Sequence, residues 1–372
     1  MRDQDKFLGC FYGGAIGDAL GFEIEFMPEE DIFQRFGEKG ITEYVLKNGV
    51  AEISDDTQMT LFTATGLLTG ATDMARNNKK GKYESYIFHS YKDWFKTQTE
   101  LYPLSDQPRY SWLANIPTFF SSRAPGRTCI AALAKTLPGT TRFPINRSKG
   151  CGGIMRVAPI GLFFCDTDVS IKDSDRLGAE AAALTHGHEL GWLPAAALVH
   201  IIRFLAETEN ATILEAVMDS MKALPELYPK ATELNNLLEL MQKAIDLSEE
   251  DGDDLDAIHL LGRGNVAEET LAIAIYCSLK HADNFEQGII AAVNHGGDSD
   301  STGAVTGNIL GTALGKKAIP SKWIDPLEIW TFIQILAEDL YRDGIVDVDG
   351  EYLDPAWEAK YITMQYPDGM DE

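Results

Sequence analysis

Glycine recurs at every fourth position through the run Gly303, Gly307, Gly311 and Gly315. Residues four apart share a helix face, so a helix here carries one stripe without side chains. Each glycine costs about 1 kcal/mol of helix propensity against alanine. Very close packing against another backbone offsets that loss. The stretch from Phe7 to Gly21 also reads as a helix, with Gly9, Gly13, Gly14, Gly17 and Gly21. The expectation is that these two helices, far apart in the chain, pack against each other.

The second glycine-striped helix opens on Asn294-His295-Gly296-Gly297-Asp298-Ser299-Asp300-Ser301. Gly296 and Gly297 let the backbone turn tightly and approach a ligand. A similar grammar stands at Ser54-Asp55-Asp56-Thr57, ahead of a helix from Gln58 to Leu68. Taken alone, that cluster is a helix cap, since Ser or Asp there satisfies free N–H groups and acids suit the positive helix end. Two adjacent Asp exceed what capping needs. Ser54, Asp55, Asp56, Asp298, Asp300 and Ser301 are all hard oxygen donors. Such donors suit Mg²⁺, Mn²⁺ or Ca²⁺ rather than Zn²⁺. If the clusters meet, like charges raise the carboxylate pKa values, and two divalent cations would balance four Asp.

Other segments carry weaker signals. Glu25 stands between Ile24 and Phe26, where a solvated surface role is the ordinary one. Gly150-Cys151-Gly152-Gly153 places three glycines within four residues, a pattern that can form an anion-binding nest. Cys151 has no neighbouring base to make it a nucleophile. No phosphate-loop lysine and no G-x-G-x-x-G occur. Thr185-His186-Gly187-His188 follows an alanine-rich run, and His186 reads as a stacking or hydrogen-bonding group or as a satisfied core histidine. Arg123 or Arg127, at a turn into a helix near Thr128, could contact phosphate, although a surface ion pair is the commoner fate.

Helical patterns recur throughout. Leu234, Leu237, Leu238, Met241 and Ile245 form a core stripe. Tyr83 to Lys96 and Val266 to His281 read as helices. Residues 71–123 read as the loops and helices of a lid or rim, and Asp251-Gly252-Asp253-Asp254 as a solvated loop. Asp325-Pro326-Leu327-Glu328 predicts a helix start, and an acidic surface tail follows from Asp347. The reading is one all-α domain over residues 1–372, with a motif core at about 7–315 and a C-terminal helix and tail after 325.

A formal net charge of −25 argues against nucleic acid and against an anionic membrane as partners. Five scattered cysteines without a C-x-x-C pair suggest reduced thiols and a cytoplasmic setting. The N-terminus lacks the apolar core of a signal peptide, and no apolar run reads as long enough to span a bilayer.

Together, Gly17-Asp18-Ala19-Leu20-Gly21 with Glu25, Ser54-Asp55-Asp56-Thr57, Gly150-Cys151-Gly152-Gly153 with Met155-Arg156-Val157-Ala158-Pro159, Thr185-His186 and Gly296-Gly297-Asp298-Ser299-Asp300-Ser301 resemble the ADP-ribosylglycohydrolase family. Dinitrogenase reductase-activating glycohydrolases are among its members. The resemblance implies an all-α orthogonal bundle with a central two-metal site for Mg²⁺ or Mn²⁺. It implies hydrolysis of the ribose C1″ glycosidic bond in ADP-ribosylated proteins or small conjugates, arginine-linked ADP-ribose first among them. Serine-linked, O-acetyl and polymeric forms stay open. Implied metal ligands are Ser54, Asp55, Asp56, Asp298, Asp300 and Ser301, and Glu25 and Asp55 are implied catalytic residues. The implied substrate contacts are Gly126, Gly150, Cys151, Gly152, Gly153, Ile154, Met155, Arg156 and, near the adenosine half, His186. Cys151 departs from the Asn common in the family. Two alternatives are a metal-dependent nucleotide phosphohydrolase and a catalytically silent ADP-ribose binder.

Overall fold

The structure is a computed structural model that describes residues 2–105, 108–342 and 354–366. Its first helices are α1 (Gln4–Phe22), α2 (Glu29–Phe36), α3 (Asp55–Arg76), α4 (Tyr83–Thr99), α5 (Arg127–Leu133) and α6 (Ala158–Phe163). Next come α7 (Ile171–Ala183), α8 (Glu189–Glu207), α9 (Ile213–Leu227), α10 (Leu234–Glu249), α11 (Asp254–Leu261) and α12 (Ala267–Lys280). The last are α13 (Phe285–Val293), α14 (Ser299–Leu314), α15 (Ser321–Ile324), α16 (Trp330–Arg342) and α17 (Pro355–Tyr361). Among the described residues the only strand-like pairings are isolated bridges, such as Ala51 with Leu327 and Gly150 with Val266. The all-α expectation holds.

The two glycine-striped helices, α1 and α14, pack antiparallel along their whole length. Gly9 faces Gly311, Gly13 faces Gly307, Gly17 faces Gly303, and Gly21 faces Ser299. A Cβ at any of these glycines would overlap a backbone carbonyl across the seam. Asn308 of α14 fixes the register by donating from Nδ2 to the Cys10 carbonyl at 2.9 Å, in space that Gly14 leaves open. Gly315 stands just outside α14 as its C-cap, at φ 77°, where glycine is unstrained. α12 and α13 cover one side of the pair, and α16 packs on α1.

Several local expectations are corrected. The helix predicted at Asp325 starts at Trp330. Ala51 ties the intervening segment down as turns around a bridge at Leu327: its N–H donates to the Pro326 carbonyl and its carbonyl accepts from Glu328 N–H. The presumed lid over 71–123 is in part core, since Trp94 and Trp112 are fully buried. Residues 347–353 of the acidic tail lie outside the described residues, and α17 beyond them docks Trp357 and Tyr361 into the core instead of covering the surface. Asp253 caps α11, and Asp254 accepts from Tyr276 Oη at 2.8 Å rather than facing solvent alone. One helix, Glu189–Glu207, does have the length and hydropathy of a membrane span, but it is mostly buried against its neighbours.

In that buried region, His200 of α8 bonds Asp175 of α7 at 2.9 Å and Asp219 of α9 at 3.1 Å. Burial pulls the imidazole pKa down, but hydrogen bonds and charge from Asp175 and Asp219 outweigh it, and the pKa stands above its ordinary value. A raised histidine contributes stability that is complete below its unfolded pKa, about 6.5, and is lost as pH rises through the folded pKa. The stability difference between the native protein and His200→Gln, measured by urea unfolding, is therefore expected to be largest below pH 6.5 and to shrink above it. A difference that grows with pH would contradict this.

Candidate active site

The acidic segments begin α3 and α14. Ser54 is the N-cap of α3 and its Oγ accepts from Asp56 N–H at 3.1 Å, so the capping reading is correct as far as it goes. Asp18, on α1, supports the same turn. Its carboxylate accepts from Ser54 N–H at 2.9 Å and Thr57 N–H at 3.0 Å, and from the Thr57 hydroxyl. With caps already supplied, Asp55 and Asp56 are free for other work.

The two clusters meet. Ser301 Oγ donates to Asp56 Oδ1 at 2.9 Å, a contact between residues 245 apart in sequence. Asp56 Oδ2 accepts from Ser54 Oγ at 3.3 Å. The loop ahead of α14 is held by Asp298 N–H donating to the Arg263 carbonyl at 2.9 Å, at a point where a Cβ on Gly297 would strike that same carbonyl. The turn after α1 is stitched to this loop by Phe26 N–H to the Gly297 carbonyl at 2.8 Å and Ser299 Oγ to the Ile24 carbonyl at 3.3 Å. Those bonds carry Glu25 to the edge of the cluster.

A pocket of about 430 Å³ opens over these groups, within the range of small-molecule sites. Glu25, Asp55, Asp56, Asp298, Asp300 and Ser301 line one wall. Gly126, Gly150, Cys151, Gly152, Met155 and His186 line the other. Asp55 Oδ2 accepts from Gly126 N–H at 3.0 Å, and the Cys151 thiol donates to Asp298 Oδ2 at 3.2 Å. Gly152 is required for room: a Cβ there would stand 3.0 Å from Cys129 Sγ and 3.1 Å from His186 Cε1. A larger hollow of about 560 Å³ lies elsewhere. Charges in it pair with one another, as Arg176 does with Asp173 at 2.7 Å.

Burial and mutual repulsion dominate the electrostatics. Burial first, then charge on Asp300, push Asp18 up to about 7. Burial and the charges of Asp300, Asp55 and Asp18 push Glu25 up to about 8. Asp55 rises to about 8 through burial, although the Gly126 hydrogen bond opposes the rise. Burial and Asp300 hold Asp56 and Asp298 well above the carboxylate range. Such a site without cations keeps protons on some of its acids. Among the described residues no three Asp, Glu, His or Cys side chains are already gathered around one point. Their oxygens are occupied instead by Ser54, Ser301, Cys151 and Gly126.

Not every expected residue reaches the pocket. Ser54 is fully buried beneath it as a cap. Gly153 packs against the Gly191 carbonyl and Ala182, and Ile154 lies in the core. Arg156 is fully buried, 4.2 Å over the Tyr91 ring, with its guanidinium donating to Thr185 Oγ1 and the Ala181 carbonyl. Arg123 takes the ion-pair fate, with Glu328 at 2.6 Å. Arg127 lies on the pocket wall. Sequence reasoning passed over Asp18 as a site residue, for which the signal was a lone acid within the otherwise apolar residues 7–22 of α1. It also passed over Phe26, 51% exposed at the pocket mouth with φ 54°.

A profile of ADP-ribosylglycohydrolases matches residues 1–347, and the acid-rich segments that converge here fall within it. The chain belongs to the ADP-ribosylglycohydrolase family. It is 23% identical over 376 residues to the ADP-ribosylhydrolase ARH3 of Bos taurus, covering 92% of this chain and 93% of that one. It is 26% identical over 331 residues to the ADP-ribosyl-[dinitrogen reductase] glycohydrolase of Rhodospirillum rubrum, covering 88% of this chain and 91% of that one. A solved ADP-ribosylglycohydrolase-related protein complex shares the fold at a TM-score of 0.57 and 22% identity, covering 91% of this chain and 98% of that one. As an ADP-ribosylglycohydrolase, the chain is a hydrolase of glycosidic bonds, acting on ADP-ribosyl conjugates.

Proposed function

We propose that this enzyme removes ADP-ribose from arginine side chains of proteins and uses two Mg²⁺ or Mn²⁺ ions to do so. The observation that carries the reading is the 2.9 Å bond from Ser301 to Asp56, which joins two hard-oxygen clusters on the wall of one pocket. Those residues fit hard dications: the donors are carboxylates and hydroxyls, and their repulsion is what positive charge would relieve. Asp55, Asp56, Asp298 and Asp300, with the hydroxyl of Ser301, would hold the ions, and Ser54 would steady Asp56 from beneath. Bound ions would polarise water and orient the ribose hydroxyls.

The chain's own groups supply the rest. Glu25 and Asp55 face the same pocket and are the groups placed to take or give a proton as the C1″ bond breaks. Gly126 and Gly150 to Gly152 admit the diphosphate close to backbone. An arginine leaving group is a planar cation, and the exposed Phe26 ring beside the Glu25 carboxylate suits one. The reading includes a cytoplasmic setting, in keeping with five unpaired cysteines.

The test is a panel of arginine-linked, serine-linked, O-acetyl and polymeric ADP-ribose, offered to EDTA-treated enzyme with and without Mg²⁺ or Mn²⁺. Free ADP-ribose is expected from the arginine conjugate only when metal is restored. Release from another linkage alone would overturn the arginine assignment. Full activity in EDTA would overturn the metal assignment, and release of inorganic phosphate would favour a phosphohydrolase.

A further inference from the structure

Arg156 is a buried cation with no carboxylate in contact. Its NH2 donates to Thr185 Oγ1 at 2.7 Å and to the Ala181 carbonyl at 3.3 Å, and its NH1 contacts Met59 and Cys129 sulfur. A guanidinium can only donate, so Thr185 Oγ1 must accept from it. The Thr185 hydroxyl proton is left to be given elsewhere. Two oxygen or nitrogen acceptors are in reach, His186 Nδ1 at 2.8 Å and the Ala182 carbonyl at 3.4 Å, beside the Cys129 sulfur, a weak acceptor. The shorter bond wins. Nδ1 of His186 is then an acceptor, and the ring proton must sit on Nε2.

His186 Nε2 has no hydrogen-bond partner among the described residues, although the residue is only 2% exposed. It lies over the glycine loop: a Cβ on Gly150 would stand 3.4 Å from it. Burial, then the charge on Arg156, push the His186 pKa down to about 3, so the ring stays neutral across the physiological range. Nε2 is not sealed off: His186 lines the pocket, where an acceptor on a ligand can meet this N–H.

We infer that Arg156 and Thr185 are positioning residues that lock His186 in its Nε2–H tautomer, so that it donates a hydrogen bond to an acceptor on the ADP-ribose moiety lying over Gly150 and Gly152. The ligand half of this rests on the function proposed above; the tautomer half does not. The direction of donation runs one way, from guanidinium to hydroxyl to imidazole to ligand. Arg156 therefore serves the pocket without entering it.

The experiment is ¹⁵N NMR of histidine-labelled protein, with His186 assigned by its loss in His186→Gln, together with ADP-ribose binding by calorimetry. Native protein is expected to show the Nε2–H form of His186 from pH 5 to 8 without titration. Thr185→Val removes the hydroxyl proton and should let the neutral ring populate its Nδ1–H tautomer, with ADP-ribose affinity falling about tenfold, the worth of one hydrogen bond. Thr185→Ser should restore both. An Nδ1–H tautomer or a titrating His186 in native protein would overturn the relay whether or not Thr185→Val folds. An unchanged ADP-ribose affinity in folded Thr185→Val would overturn the donor role. The Nε2–H form in a protein that binds no ADP-ribose would support the lock and sink the proposed function instead.

Discussion

Asp300→Asn is expected to cut ADP-ribose release about 10³-fold and at the same time to raise the thermal stability of the metal-free protein. Both effects follow from one position. Asp300 repels Asp18, Glu25, Asp55, Asp56 and Asp298. It is buried, and one of its own oxygens accepts from Ser301 N–H at 2.9 Å. Asparagine keeps the shape and that acceptor but removes the charge. With no cation present, the neighbouring acids lose a repulsive partner, and Tm should rise by about 2 °C or more. With Mg²⁺ or Mn²⁺ present, the proposed cation site loses a ligand, and several kcal/mol of transition-state stabilisation go with it. Scanning calorimetry with and without Mn²⁺ separates the two: Mn²⁺ should stabilise the native protein strongly and Asp300→Asn weakly. Equal stabilisation of both, with activity retained, would remove Asp300 from the site.

Gly307→Ala is expected to destabilise the whole protein by about 3 kcal/mol or more, the upper range for overpacking a core. The added methyl would overlap the Gly13 carbonyl, which is backbone and cannot swing aside. Gly13→Ala should cost as much, because its methyl meets the Gly307 carbonyl in return. The pair should be far from additive, since one separation of the helices relieves both clashes. Gly252→Ala is the control: nothing lies within 4 Å of the new atom, so a change within about 0.5 kcal/mol is expected. Urea unfolding reads all four proteins. A Gly307→Ala protein of native stability would mean that α1 and α14 do not touch at this point.

Much of this architecture is legible from residue patterns, for a physical reason. A stripe of glycine is costly in a helix and is tolerated where another backbone fills the space, so Gly303, Gly307 and Gly311 point to a partner, and Gly9, Gly13 and Gly17 supply one. The acidic clusters announce themselves by exceeding what a helix cap needs. Other features depend on contacts that no local pattern encodes. Asp325-Pro326-Leu327-Glu328 has every local mark of a helix start, but hydrogen bonds to Ala51 hold it as turns around a single bridge. Asp18 looks like a stray acid until Ser54 and Thr57 are seen donating to it. Arg156 is a substrate contact by what the family resemblance implies, whereas the chain turns it away from the pocket toward Thr185. In each case the competing partner is remote in sequence, and spacing alone carries no information about it.

The seam between α1 and α14 also sets when catalysis can begin. Its halves are residues 4–22 and 299–314, so a ribosome must pass residue 314 before they can join along their full length. A partly synthesised chain already holds Asp55 and Asp56 but has nothing opposite them. A chain cut short before the N-cap of α14 lacks Asp298, Asp300 and Ser301 and is expected to release no ADP-ribose.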